Sequence, residues 1–84
     1  MPALLSNADT ELFERLRAWR LQTARAQAVP PYVVFHDSQL RALAQARPTS
    51  RAALAHLPGV GERKLASYGD ALLALIAEGP LPTP

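Results

Sequence analysis

The fold of this chain is decided by one seven-residue stretch, Val29-Pro30-Pro31-Tyr32-Val33-Val34-Phe35. Its two prolines lack a backbone N–H and favour extended backbone at the residue before them, so they end any helix that precedes them. The Tyr-Val-Val-Phe run has the composition of a β-strand, but no other segment of the chain offers a strand to pair with it. We therefore expect a short, buried connection between two helices, extended or 3₁₀ in conformation.

Helices are expected on both sides of this stretch, because the 84 residues include sixteen Ala and fourteen Leu against four Val and one Ile. The first helix should run from a capping cluster at residues 6–10 to about Gln27. Its apolar stripe at helical spacing contains Leu12, Leu16, Trp19 and Thr23, with Phe13 and Ala24 beside it. Arg20 falls inside this stripe, where a charged side chain needs a partner, and Asp37 is the expected one. Arg15 and Arg25 lie off the stripe and should be solvated.

The rest of the chain predicts four more helices. One should begin with a cap at Asp37 or Ser38 and end near residue 46, and the next with a cap at Thr49 or Ser50 and end near residue 55. Residues 57–61 (LPGVG) predict a tight turn whose glycines take positive φ, so that Gly61→Val should strain it. Two further helices are expected over residues 62–68 and 70–78, separated by a glycine.

The expected architecture is therefore all-α, a compact five-helix bundle. We expect an N-terminal extension over residues 1–8, one domain over residues 9–79, and a disordered proline-rich tail over residues 80–84. Trp19 and Phe35 are expected to have structural roles in its core, and Arg20 and Asp37 to form a structural pair.

Positive charge is concentrated in the centre of the chain. Residues 15–51 hold seven Arg against one Asp, a net charge of +6, whereas the two flanking segments are acidic and the whole chain is only +2. Arginine suits bidentate contacts with phosphate better than lysine does. The block therefore favours a polyanionic partner, although a preference for Arg in the coding sequence explains the same bias equally well.

Several classes of function find no support in the sequence. The longest apolar run, residues 71–77, is far short of the roughly 20 residues that span a bilayer, and the first ten residues lack the basic start of a signal peptide. The chain has no Cys, no GxxxxGK[ST] phosphate loop and no spacing typical of a catalytic triad or carboxylate pair. His36 and His56 have no further ligand beside them. We expect a soluble, non-catalytic chain with neither metal nor cofactor.

Ordered motifs along most of the chain carry a family resemblance. They are Leu12, Leu16-Arg17, Arg20 and Ala24, then residues 29–35, then Asp37, Leu40, Ala44 and Pro48, and finally Leu54, Gly59-Val60-Gly61, Lys64, Tyr68-Gly69 and Ile76. In this order and spacing, residues 10–78 resemble the HRDC (helicase and RNase D C-terminal) domain, most closely the version in bacterial RecQ helicases. The resemblance implies a SAM-like five-helix domain attached to an ATP-dependent 3′→5′ DNA helicase of repair and recombination.

The same resemblance implies partners and a location. We expect weak contact with single-stranded or branched DNA, contact with the helicase core of the same polypeptide, no contact with a membrane, a monomeric isolated domain, and a cytoplasmic, nucleoid-associated setting. The aromatic of the family's proline segment corresponds to Tyr32, on which a base would stack. The competing interpretation is that Tyr32 only covers the edge of the core. Arg25, Arg41 and Arg51 lie off the apolar faces of their helices and are the expected phosphate contacts.

A second candidate site is the glycine turn, which is similar to a helix-hairpin-helix motif. Backbone amides at Gly59 and Gly61, with Arg63 and Lys64 in the next helix, would bind a phosphate. Glu62 would compete with that phosphate, and in the HRDC family this turn mainly packs helices together.

Two further functions stay open at this point. One is a docking module that modulates the helicase core without strong DNA affinity, favoured by the modest net charge and by Leu21 with Leu4 and Leu5. The other is RNA binding within an RNase-D-like nuclease.

Overall fold

The computed structural model describes residues 7–78, which form five helices and no strand. The helices are α1 (Asn7–Gln27), α2 (Pro31–Val34), α3 (Asp37–Ala46), α4 (Arg51–Ala55) and α5 (Glu62–Ala77). The all-α prediction and the total of five helices are confirmed, although α2 was expected as an extended or 3₁₀ connection and α5 as two separate helices. No helix in this range is both long and apolar enough to cross a membrane. The expected tail at residues 80–84, together with Leu4 and Leu5, lies outside the described residues.

The connection after α1 is a single turn of α-helix. Ala28 adopts φ 56°, which reverses the chain, and Val29 N–H donates to the Ala24 carbonyl at 3.0 Å. Pro30 is extended and Pro31 opens α2, a position where the missing N–H of proline costs nothing. Phe35 returns to extended backbone, with φ −153°. The connection therefore combines one α-helical turn with extended residues on both sides of it, and the 3₁₀ alternative is wrong.

The core lies where α1 meets α2, α3 and α5. α2 and the residue after it contribute Val34 and Phe35, which are buried, while Tyr32 and Val33 stay outside. Trp19 is half-buried against this core, as its place in the stripe predicts. Apolar side chains that share the core are Leu12, Leu16, Ala24, Val34, Phe35, Leu40, Leu43, Ala44, Leu54, Val60, Leu72 and Ile76.

The predicted break at Gly69 is wrong, because α5 runs through it without interruption. Gly69 is buried, and a Cβ there would lie 3.2 Å from both Arg51 Nη1 and Leu65 Cδ1. The glycine thus makes room for neighbouring side chains rather than ending a helix. A single glycine costs a helix only about 1 kcal/mol relative to alanine, which the packing of Leu72 and Ile76 outweighs.

Only one of the two glycines in the turn has the predicted positive φ. Gly59 has φ 83°, the left-handed conformation that favours glycine, whereas Gly61 has φ −79° and open space where a Cβ would be. The expectation that Gly61→Val strains the turn is therefore wrong. Gly61 instead precedes α5 as its N-cap.

Two other local predictions have different outcomes. Ser50 is the N-cap of α4, as predicted, and its Oγ accepts a hydrogen bond from Ala53 N–H at 3.1 Å. The N-cap of α3 is His36, one residue before the predicted positions, and its N–H donates to Gln39 Oε1 at 2.8 Å. The N-cap shifts because Gln39 provides the reciprocal bond of a capping box.

Candidate nucleic-acid interface

Tyr32 stands on the outside of the short α2 turn. Its side chain is 60% exposed and that of Val33 is 47% exposed, while the next two residues are buried. The Tyr32 ring stacks against the His36 ring with centroids 6.0 Å apart and planes 27° from parallel. A tyrosine fixed between two prolines and two buried residues gives up little entropy when a flat ligand stacks on it. Its exposure fits a contact surface better than a cover for the core.

A groove lies beside this turn, where α2 and the end of α1 face α5. Its volume is about 410 Å³. Gln27 Nε2 donates to Tyr68 Oη at 2.8 Å, which joins the two long helices across the groove. Lys64 Nζ lies 4.6 Å from the centroid of the buried Phe35 ring, a cation–π contact. This α1–α5 groove is lined by Gln27, Val33, Arg63, Lys64, Ser67 and Tyr68.

Three aromatic rings support the groove from below. Trp19 meets Tyr68 edge to face, with centroids 5.4 Å apart, and Phe35 lies 5.9 Å from Tyr68 and 6.2 Å from Trp19. Such pairs contribute about 0.5–1.5 kcal/mol beyond their buried area. The cluster therefore fixes α2 relative to α5, and with it the spacing between the exposed tyrosine of α2 and the basic side chains of the groove.

The basic side chains that the sequence singled out do not all lie together. Arg63 and Lys64 share the α1–α5 groove, and Arg25 is exposed near the end of α1. Within the described residues no carboxylate pairs with any of these three. Arg41 lies elsewhere, with its guanidinium carbon 5.7 Å from the Phe13 ring.

Arg51 has a different environment from the other predicted phosphate contacts. Its Nη1 lies 2.6 Å from Asp70 Oδ1, and its Nη2 donates to the Leu65 carbonyl at 3.2 Å. These contacts tie α4 to α5 beside Gly69. Arg51 therefore has a structural role between these helices and does not line the α1–α5 groove.

The glycine turn mainly packs against its neighbours. A Cβ at Gly59 would collide with the side-chain amide of Gln39, so the turn lies directly on the start of α3. Gly61 makes no side-chain cap at the start of α5, and Glu62 follows it as an acidic first residue. Arg63 and Lys64 thus reach the groove as side chains of the first turn of α5.

The predicted ion pair in the core is present. Arg20 is only 9% exposed, and its Nη1 lies 2.8 Å from Asp37 Oδ1 and donates to the Phe35 carbonyl at 2.9 Å. The hydrogen bond from Arg20 holds the pKa of the Asp37 carboxyl below its usual value, and the charges of Arg17 and Arg41 act in the same direction. Arg20 therefore joins α1 to both ends of the α2–α3 connection.

The prediction that Arg15 is solvated is wrong. Its side chain is mostly covered, and Nη1 reaches the Leu75 carbonyl and Glu78 Oε2, both at 3.3 Å. The long apolar stem of arginine lets it pack over α5 while its charged end finds acceptors there.

Sequence reasoning missed four of the six residues that line the groove. Gln27, Val33, Ser67 and Tyr68 were not named as site residues, although Lys64, Ser67 and Tyr68 have the spacing that places them on one helix face. No group of three or more His, Asp or Glu side chains that could hold a metal ion occurs among residues 7–78.

Comparison with known proteins identifies the family. The sequence model of the HRDC domain matches residues 9–76, and the chain belongs to this family. It is 49% identical over 71 residues to the ATP-dependent DNA helicase UvrD2 of Mycobacterium tuberculosis, covering 84% of this chain and 10% of the relative. It is 43% identical over 74 residues to the ATP-dependent DNA helicase RecQ of Haemophilus influenzae, covering 88% of this chain and 12% of the relative. The chain therefore spans about a tenth of the length of these curated relatives.

Solved structures confirm the fold. HRDC domain 3 of Deinococcus radiodurans RecQ superposes with a TM-score of 0.81 at 34% identity, covering 87% of this chain and 95% of that domain. The solution structure of the HRDC1 domain of the RecQ helicase from the same organism is 51% identical, with a TM-score of 0.59 and coverage of 83% and 93%.

Proposed function

We propose that this chain is a non-catalytic accessory domain of an ATP-dependent DNA helicase and that it binds single-stranded DNA weakly. The relatives with this domain include helicases of both the UvrD2 and the RecQ type. The observation that carries the proposal is the exposed Tyr32 next to Val33, which lines a groove whose two basic side chains have no acidic partner within the described residues. A base stacks on the tyrosine, and the neighbouring phosphates contact Arg63 and Lys64.

The charges of this surface predict weak binding that depends on salt. Each phosphate neutralised on a single strand contributes about −0.7 to the slope of log affinity against log salt. For two contacts, raising the salt from about 50 to about 200 mM lowers the affinity roughly sevenfold. Stacking one base on an aromatic side chain contributes about 1–3 kcal/mol. Because Arg25 lies near the end of α1, it is the expected third contact and would steepen the salt dependence.

Fluorescence anisotropy with a labelled oligothymidylate tests this proposal. Lys64→Gln and Arg41→Gln form a matched pair, since each removes one positive charge that lies over a phenylalanine ring. We expect Lys64→Gln to weaken binding and to flatten the salt dependence, and Arg41→Gln to change both less. Tyr32→Ala should weaken binding about fivefold or more, whereas Tyr32→Phe keeps the ring and should bind almost normally. Equal losses for the matched pair, or binding unaffected by Tyr32→Ala, would contradict the proposed surface.

A second candidate function is docking on the helicase core, by which the domain would adjust the DNA binding and ATPase activity of the core. The observation that favours it is Leu21, an exposed leucine on α1 away from the α1–α5 groove. Comparing the parent helicase with and without this domain separates the two functions. If deletion changes ATP turnover while Tyr32→Ala in the parent does not, docking is the main function.

A further inference from the structure

A second groove lies on the side of α1 that faces the start of α2, and it shares no lining residue with the α1–α5 groove. Its volume is about 340 Å³. Ala18, Leu21 and Pro31 give it an apolar wall, and Leu21 is 41% exposed there. An exposed leucine in a groove is more informative than one on a flat surface, because a ligand side chain can contact it from several directions. This α1–α2 groove is lined by Glu14, Arg17, Ala18, Arg20, Leu21 and Pro31.

Positive charge is in excess around this groove. Arg20 pairs with Asp37, and the charges of Arg17 and Arg41 also act on the Asp37 carboxylate. With Glu14, these three arginines and two carboxylates give a net charge of +1. Arg17 and Arg41 lie over the same Phe13 ring, at 5.8 and 5.7 Å from its centroid.

Glu14, the acidic residue that lines this groove, forms only a weak ion pair with Arg17. Glu14 Oε1 lies 3.4 Å from Arg17 Nη1, and both side chains are more than half exposed. Exposed pairs of this kind contribute at most about 1 kcal/mol, so a second carboxylate can displace Glu14 from Arg17.

Arg20 has one buried donor without a partner. Its Nη1 contacts both Asp37 and Phe35, but its buried Nε has no acceptor among the described residues. A buried N–H without a partner is rare in folded proteins. Because this nitrogen is shielded from solvent, the accessible guanidinium of the groove is that of Arg17, whose side chain is 51% exposed.

We propose that the α1–α2 groove is a docking site for an acidic, leucine-containing segment of a partner protein. A carboxylate of that segment binds the Arg17 guanidinium group, and an adjacent aliphatic side chain packs on Ala18, Leu21 and Pro31. A DNA strand suits this groove less well, because the apolar wall offers a phosphate no hydrogen bond and is suited to an aliphatic side chain instead. This site is independent of the DNA-binding surface at Tyr32.

Amide chemical-shift mapping of the ¹⁵N-labelled chain tests the proposal. The probe is a synthetic peptide that alternates leucine and aspartate, and the controls are a leucine–lysine peptide and an oligothymidylate. We expect the acidic peptide to shift the amides of Ala18 and Leu21 most strongly. Leu21→Ser should weaken its affinity about three- to tenfold, and Arg17→Gln should weaken it by up to about fivefold. Arg25→Gln, a matched exposed arginine of the same helix, should change it little.

Three outcomes would overturn the docking site. The first is the absence of shifts at α1 with the acidic peptide. The second is equal binding of the leucine–lysine peptide. The third is an oligothymidylate that shifts the same amides and binds more weakly to Arg17→Gln, which would make the groove part of a DNA path. Because Leu21 is exposed, its serine variant should fold normally, and a thermal melt of each variant checks this.

Discussion

Replacing Arg20 by Met tests whether one buried side chain holds α1 to the connection that presents Tyr32. Methionine keeps an unbranched apolar stem in the stripe of α1 but removes the guanidinium. The Phe35 carbonyl then loses the hydrogen bond from Arg20 Nη1, and Asp37 loses its ion-pair partner. The control is Arg25→Met, which makes the same chemical change on the same helix at an exposed position.

The expected loss of stability follows from the two contacts. Leaving the buried Phe35 carbonyl without a donor costs about 1–3 kcal/mol. The ion pair adds less than about 1 kcal/mol, because the Asp37 side chain is 59% exposed and water replaces Arg20 there. Removing the unpartnered Nε of Arg20 offsets part of this cost. A net loss near 2 kcal/mol lowers the melting temperature by about 8–16 °C for a domain of this size.

Thermal melts by circular dichroism measure this difference, and their pH dependence separates the two contacts. Because the pKa of Asp37 is lowered in the folded protein, its pairing stabilises the fold above about pH 4 and is lost as the pH falls through that lowered value. The difference in melting temperature between the wild type and Arg20→Met should therefore narrow below about pH 4. It should not close, because the bond to the Phe35 carbonyl does not titrate.

Two results would refute this reasoning. If Arg20→Met and Arg25→Met melt within about 2 °C of each other, the contacts of Arg20 with Phe35 and Asp37 contribute less than about 0.5 kcal/mol to the free energy of unfolding. In that case α2 is held by apolar packing alone. If the gap between Arg20→Met and the wild type stays constant down to pH 3, the pairing with Asp37 contributes nothing.

Two other substitutions test local features of the fold. Gly59→Ala should lower the free energy of unfolding by more than about 1 kcal/mol, because φ is 83° and the new Cβ meets Gln39. The control Gly61→Ala should be nearly neutral in the same melts. Equal effects of the two substitutions would show that the turn is not rigid. Ser50→Ala removes the N-cap side chain that accepts a hydrogen bond from Ala53 N–H. It should lower the free energy of unfolding by about 1 kcal/mol, which urea unfolding measures. An unchanged midpoint would mean that α4 adds nothing to stability.

Local patterns predicted a large part of the fold. The end of α1 at Gln27 follows from the prolines, and the Ser50 cap follows from residue preference at helix starts. The Arg20–Asp37 pair was predictable because a charge inside an apolar stripe requires a partner nearby. The errors came where distant residues decide. Gly69 suggests a helix end, but the packing of Leu72 and Ile76 in the core outweighs its cost and keeps α5 continuous.

The sequence by itself determined the all-α class and the place of Tyr32 directly after two prolines. Only the tertiary structure decided what lies beside Tyr32. Gln27 and Tyr68 are 41 positions apart in the chain, yet their hydrogen bond joins α1 to α5 and brings Lys64 to the groove that Val33 lines. The tertiary structure also places Arg41 and Arg51 away from that groove. Helix periodicity places side chains around one axis, whereas a binding surface depends on how helices pack together, which no local pattern specifies.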